Sequence, residues 1–292
     1  LKGYIMNKNL LIAALFAATS ANAAMNITGD YEGTFTDGSG ASYAQDLDLT
    51  LVGSTDGAKV TMMMEDITGE TALTTSQVFV ETDVEGIAIK AGNYKNQNGS
   101  GLMQTDSAIA NQFAVSTSIA GASLTVGQVS GGSKATVDAS MEVAGLDVTV
   151  QNVSASDRFI TVVANFFGFG VTAETQNTTV GRNTAVSAGA TIGYGVDKAV
   201  DLTAVVVDVN DATAITQNDG ILGDVTGANN GSTIVGGVAS MGTTFGVVTG
   251  KAFEVNDATT YVGEVQRGAL TVGYTKADDT AGVTSAKIDV SF

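Results

Sequence analysis

The sequence predicts an all-β chain: a transmembrane antiparallel up-and-down β-barrel, preceded by a cleaved signal peptide. Three observations carry that prediction. Apolar and polar residues alternate from end to end, Gly is abundant at 36 residues while Pro, Cys, His and Trp are absent, and the N-terminus carries an export pattern. Alternation is the mark of a strand, because successive side chains point to opposite faces. A lack of Pro suits long hydrogen-bonded strands, in which Pro has no N–H to donate.

The export pattern comes first along the chain. Met6 opens MNKNLLIAALFAATSANAAM, with one positive charge at Lys8, an apolar run from Leu10 to Ala18, and then Ala21-Asn22-Ala23. Those are the three regions of a secretory signal peptide. The apolar run is too short to span a bilayer. The expected division is therefore residues 1–23, with Leu1 to Ile5 upstream of a signal peptide cleaved after Ala23, and residues 24–292 as one β-barrel domain. Without Lys2 and Lys8 there remain 11 basic against 30 acidic residues, a net charge near −19. Such an acidic chain has no use for nucleic acid. Absent His and Cys remove the usual nucleophile pairs, the His general base and the ordinary zinc site. The chain reads as a non-enzyme with no cofactor and no metal.

The strands follow in order. MNITGDYEGTF sets Ile27, Tyr31 and Phe35 against Asn26, Thr28, Asp30, Glu32 and Thr34. YAQDLDLTLVG sets Leu47, Leu49 and Leu51 against Asp46, Asp48 and Thr50, and AKVTMMMED sets Val60, Met62 and Met64 against Lys59, Thr61 and Glu65. In SQVFVETDV the residues Val78, Val80 and Val84 oppose Gln77, Phe79 and Glu81; in EGIAIKAGNY, Ile87 and Ile89 oppose Ala88 and Lys90. Thirteen further segments run from QFAVSTSIA to GVTSAKIDVSF, eighteen in all. Short connections near Asp56-Gly57, Ala120-Gly121, Ala144-Gly145 and Arg267-Gly268 take turns with longer polar ones, such as Asn96 to Asn111 and Asn210 to Gly231. Tight turns on one rim and long loops on the other describe a meander. An even strand count brings both ends of the domain to the short-turn rim.

A two-sheet sandwich also alternates. Here, however, ionised residues recur on the polar face of strand after strand, and the Pro-rich turns and Trp-rich core layers of a large sandwich are missing. A closed barrel with its apolar face in lipid satisfies the pattern, since closure pairs every backbone group. The aromatic girdle expected of such barrels is thin at 6% aromatic residues, with Tyr31, Phe35, Tyr274 and Phe292 as its candidates.

The run from Met25 to Tyr94 resembles the opening strands of Gram-negative general-diffusion porins of the alphaproteobacterial type. The resemblance rests on NITGDYEGTF, on LDLTLVGSTDGAKVTM with its STDG turn, and on EGIAIKAGNYK before a long loop. The closing KIDVSF resembles the C-terminal signal read by barrel assembly machinery, which assigns that role to Ile288, Val290 and Phe292. The resemblance implies a homotrimer in the outer membrane of a Gram-negative bacterium. Each protomer would have sixteen strands, giving a range of sixteen to eighteen, and its third loop would fold into the pore. It also implies passive diffusion of small hydrophilic solutes and ions, with membrane lipid and the assembly machinery as the other partners.

The pore-lining candidates are Asp30, Glu32, Asp46, Asp48, Lys59, Glu65, Glu81 and Lys90 on the polar faces, with Asp106 in the loop Asn96 to Asn111. In the resembled family an acidic inserted loop faces a basic cluster on the wall. Here the loop holds one carboxylate and the wall has no Arg cluster, so an acidic lumen preferring cations is expected. QNDGILGD, with Asp219 and Asp224, lacks the ligand spacing of a Ca²⁺ loop and reads as solvated loop. Pairs such as Glu65-Asp66 and Asp278-Asp279 read as surface charge rather than glycosidase carboxylates. The alternative function is an exported β-rich structural or adhesive surface protein, a filament or surface-layer subunit.

Overall fold

The computed structural model describes residues 24–37, 40–55, 57–65, 75–99, 103–106, 109–129, 135–152, 158–178, 181–193, 199–211, 230–278 and 281–291. Residues 1–23, Phe292 and the QNDGILGD stretch lie outside the described residues. Among the described residues twenty strands follow one another: β1 Ala24–Asp37, β2 Ser42–Thr55, β3 Ala58–Met64, β4 Gln77–Val84, β5 Ile87–Tyr94, β6 Gln97–Gly99, β7 Gln104–Asp106, β8 Ala110–Ile119, β9 Ala122–Val129, β10 Thr136–Val143, β11 Leu146–Gln151, β12 Arg158–Phe166, β13 Phe169–Asn177, β14 Arg182–Gly193, β15 Ala199–Val209, β16 Ser232–Thr243, β17 Gly246–Val255, β18 Ala258–Arg267, β19 Leu270–Ala277 and β20 Val283–Ser291. There is no helix among the described residues.

All the strands except β6 and β7 form one 18-stranded antiparallel sheet. Its closure is visible at β1, which pairs on one side with β2, from Ala24↔Ser54 to Thr36↔Ser42. On the other side it pairs with β20, from Asp30↔Ser291 to Asp37↔Thr284. The barrel therefore has the eighteen strands that the alternation predicts, rather than the sixteen that the resemblance implies. The sequence reading did not separate β6 and β7, which pair only with each other.

Turn chemistry closes the short rim. Glu85-Gly86, Ala120-Gly121, Ala144-Gly145 and Phe167-Gly168 all have positive φ at both residues. That geometry matches the right-handed twist of two-residue hairpins, and Gly at the second position adopts it without penalty. One connection breaks the rule that the opposite rim carries the longer loops. Between β17 and β18 it is only Asn256-Asp257, again with both φ positive.

Registers propagate the side-chain faces around the wall. Asp30, Asp48, Glu81 and Lys90 share one face, while Ile27, Leu47, Val80 and Ile89 share the other. The face with the apolar stripe is the outer one, and large side chains such as Ile119, Val186, Val235 and Val265 stand exposed on it. The expected Tyr31, Phe35 and Tyr274 are on this outer face, where Tyr31 and Tyr43 join their hydroxyls at 2.8 Å. The girdle is fuller than the sequence suggested. Phe166, Phe167, Phe169 and Phe245 crowd the short-turn rim, with Phe167 wholly exposed at 103%.

The interior is not polar throughout. Phe159, Ala185, Val205, Val207, Val209, Ile234, Phe253 and Val255 form a buried cluster with Met103, with Val238 and Val262 packed against it. The wall residues of the cluster occupy the loop-side half of β12 to β17, on the inner face, with Val262 beside them on β18.

Candidate functional site

What distinguishes the inner face is the hairpin β6–β7, in the loop after β5. Its residue Met103 is 1% exposed and seats in the apolar cluster. An apolar inner wall is stable only against an apolar partner, which is why Val205, Val207 and Val209 can point inward here without facing water. Two polar contacts fix the hairpin's position. The Met103 N–H donates to Glu174 Oε1 at 2.9 Å, and the Gly99 N–H donates to Gln151 Oε1 at 2.8 Å. Thr161 Oγ1 donates to the other oxygen of Glu174 at 2.8 Å. Glu174 is 3% exposed, so its charge is held by hydrogen bonds rather than by solvent.

The root of the loop is braced on the opposite side. Lys95 N–H donates to Gln77 Oε1 at 3.1 Å, and Gln77 Nε2 donates to Glu65 Oε1 at 3.1 Å. Asn96 Nδ2 donates to Gln112 Oε1 at 2.7 Å, and Gln112 Nε2 reaches the Tyr94 carbonyl at 2.5 Å. Glu65 thus stands at the loop-side mouth, tied to the loop's support. Asp106 ends β7, its backbone opposite Gln97; its side chain lies outside the description.

A different surface covers β20 through β5. Lys287 Nζ lies 2.7 Å from Glu32 Oε2 and 3.5 Å from Asp289 Oδ2. Asp30 and Asp48 face each other across the same seam, and Asp46 faces Glu32. On the next strands Glu81 lies between two lysines, 3.0 Å from Lys59 Nζ and 3.7 Å from Lys90 Nζ. The Lys90 ammonium also sits 4.0 Å from the Phe79 ring centre and 4.5 Å from that of Tyr94. The two rings meet edge to face at 5.7 Å. These ion pairs are partly exposed, with Lys90 at 34% and Glu81 at 36%. They line open space of about 500 Å³ with Ser54, Asp83 and Ser116.

All the sequence-predicted candidates on β1 to β5 therefore fall on the inner face. They divide into an acidic seam (Asp30, Glu32, Asp46, Asp48), a lysine–glutamate cluster (Lys59, Glu81, Lys90) and the outlying Glu65. Sequence reasoning missed Gln151, Thr161 and Glu174, the anchors of the hairpin. Their only signal was inward parity on adjacent strands, shared with many residues that hold nothing. The remaining inner strands add Asp138, Glu142, Asp147, Asp201 and Glu264, with Lys251 as the basic residue, 3.8 Å from Glu264.

A closed 18-stranded wall is an arrangement that solved structures share. The barrel of OccK2 (OpdF) from Pseudomonas aeruginosa superposes with a TM-score of 0.58 at 13% identity, covering 93% of this chain and 98% of that one. The fold is that of an outer-membrane porin. OccAB3 of Acinetobacter baumannii gives a TM-score of 0.58 at 8% identity, covering 93% and 99%. A mutant of the Rh. blastica porin gives 0.50 at 12% identity, covering 92% and 100%. No family model matches the sequence, and no curated relative matches it either. The porin likeness is thus one of fold. In it the described inner face has a hairpin on one wall and charged side chains on the other.

Proposed function

We propose that this chain is an outer-membrane channel for passive diffusion of small hydrophilic solutes and ions, with a preference for cations. One observation carries the reading: the partly exposed inner charges are mostly carboxylates. Asp30, Glu32, Asp46, Asp48, Glu81, Asp83, Asp138, Glu142, Asp147 and Asp289 outnumber Lys59, Lys90, Lys251 and Lys287. Low-dielectric walls focus such a field and raise the local concentration of counter-ions. Lysines bound to Glu81 and Glu32 are largely neutralised locally, so the surplus stays negative. MNKNLLIAALFAATSANAAM supports export to the outer membrane.

Closure supports the channel over a filament or surface-layer subunit, because β1 and β20 pair with each other and offer no open edge to polymerise through. Within this reading the protein assembles as a homotrimer. Ile288 and Val290, exposed on the outer face, form with Phe292 the signal presented to the assembly machinery. Reversal potentials across planar bilayers under a KCl gradient test the proposal. Channels selective for K⁺ over Cl⁻ are expected, with the ratio falling toward unity in an Asp30→Asn/Asp48→Asn/Asp289→Asn triple variant. Refolded protein without conductance would sink the channel, and anion selectivity would sink the ion preference alone.

A further inference from the structure

We infer that the row Arg158, Asn177 and Arg182 on the outer wall is a binding site for the phosphate of a lipid headgroup in the leaflet on the loop side. The inference rests on the reading of the barrel as embedded in a bilayer. Arg158 opens β12, Asn177 ends β13 and Arg182 opens β14, and the three are direct register partners: Arg158↔Asn177 and Asn177↔Arg182. Their parity is that of Ile160, Val162 and Val186, so the row belongs to the lipid-facing wall.

Height sets the chemistry it meets. Outward positions on β12 run Arg158, Ile160, Val162, Ala164 and Phe166, from a charge at the loop side to an aromatic ring at the short-turn rim. That column spans roughly 27 Å along the strand, or about 20 Å in height at a tilt near 40°. The arginines thus mark the edge of the apolar band, where lipid phosphates lie.

Arg158 Nε has no hydrogen-bond partner but is covered by its neighbours, so a headgroup outside the wall meets the ends of the two guanidinium forks. Arg182 Nε donates to Asn177 Oδ1 at 2.8 Å, which orients its planar fork. Neither guanidinium forms an ion pair among the described residues. Among the described residues the carboxylate nearest on this face is Asp208, beside Thr184 and held by Asn210 Nδ2 at 3.4 Å. Two strand spacings put the arginine stems about 10 Å apart, so two forks can converge on one phosphate.

The test uses the full chain refolded in neutral detergent and titrated with dioleoyl phosphatidic acid, read by native mass spectrometry. Dioleoylglycerol and inorganic phosphate serve as controls. Phosphatidic acid is expected to bind, dioleoylglycerol to bind far more weakly, and inorganic phosphate not to displace it. Arg158→Gln/Arg182→Gln should weaken binding about 30-fold, the effect of removing two basic side chains from an anionic surface. Asp208→Asn should tighten it, which keeps the site testable if the double variant does not fold. Equal binding of both lipids, unchanged affinity in the double variant, or displacement by inorganic phosphate at equal concentration would each overturn the lipid site. Wild type that inserts into phosphatidylcholine vesicles yet shows no phosphate preference defeats only this site; wild type that never inserts defeats the barrel reading beneath it.

Discussion

Glu174 is the group whose removal should most clearly release the inserted hairpin. It accepts from Met103 N–H at 2.9 Å and from Thr161 Oγ1 at 2.8 Å while 3% exposed. A hydrogen bond to a charged acceptor contributes about 1.5–3 kcal/mol, and a buried donor left without one costs about 1–3 kcal/mol. Glu174→Ala removes both bonds and strands the Met103 amide, so the docked hairpin should lose about 2–4 kcal/mol relative to the undocked one. Glu174→Gln is far milder. Its carbonyl oxygen still accepts from Met103, and the Thr161 hydroxyl can rotate to accept from the new NH₂. The loss expected there is under about 1 kcal/mol. Amide hydrogen exchange at Met103 reads this directly, because local opening governs exchange. The Ala variant should exchange roughly 30- to 1,000-fold faster than wild type and the Gln variant within about 5-fold. In single-channel records the Ala variant should show added open-state noise as the hairpin moves. Unchanged Met103 exchange in Glu174→Ala, or equal effects of the Ala and Gln changes, would refute the latch.

Two further perturbations test the wall itself. Val186, exposed on the outer face in the middle of β14, should not tolerate Arg: the variant is expected to lose about 2–4 kcal/mol of folding stability in vesicles, measured by urea titration. A full-stability Val186→Arg would mean that this face does not meet lipid. Gly92 has φ 144°, and a Cβ there would lie 2.6 Å from Phe79 Cα and collide with the Val78 carbonyl oxygen. Gly92→Ala should therefore cost about 1–3 kcal/mol and displace Phe79 from beneath Lys90, read as a lower urea midpoint and a changed Tyr94 environment in fluorescence.

Period two made most of the wall legible, because a strand's side chains alternate whatever surrounds it. YAQDLDLTLVG, SQVFVETDV and EGIAIKAGNY each coincide with one strand to within two residues at either end. The inward set Asp30, Glu32, Asp46, Asp48, Lys59, Glu81 and Lys90 followed from the same rule. Aromatic residues of the short-turn rim were harder to recognise. Phe166, Phe167, Phe169 and Phe245 stand at hairpin turns, where alternation stops and a sequence gives no face.

Alternation along the chain thus settled the all-β class and which residues share a face, since each depends on neighbours two positions apart, and closure of the sheet fixed the strand number at eighteen within the range of sixteen to eighteen. Only the tertiary structure decided where the hairpin β6–β7 lies, why Val205, Val207 and Val209 face inward, and how Glu174 comes to hold Met103. Those depend on contacts between segments far apart in the chain, 71 residues in the case of Glu174 and Met103. Local periodicity carries no record of such contacts. An inward valine and an inward aspartate obey the same parity, and what separates dry wall from wet is the partner that closure of the barrel brings against it.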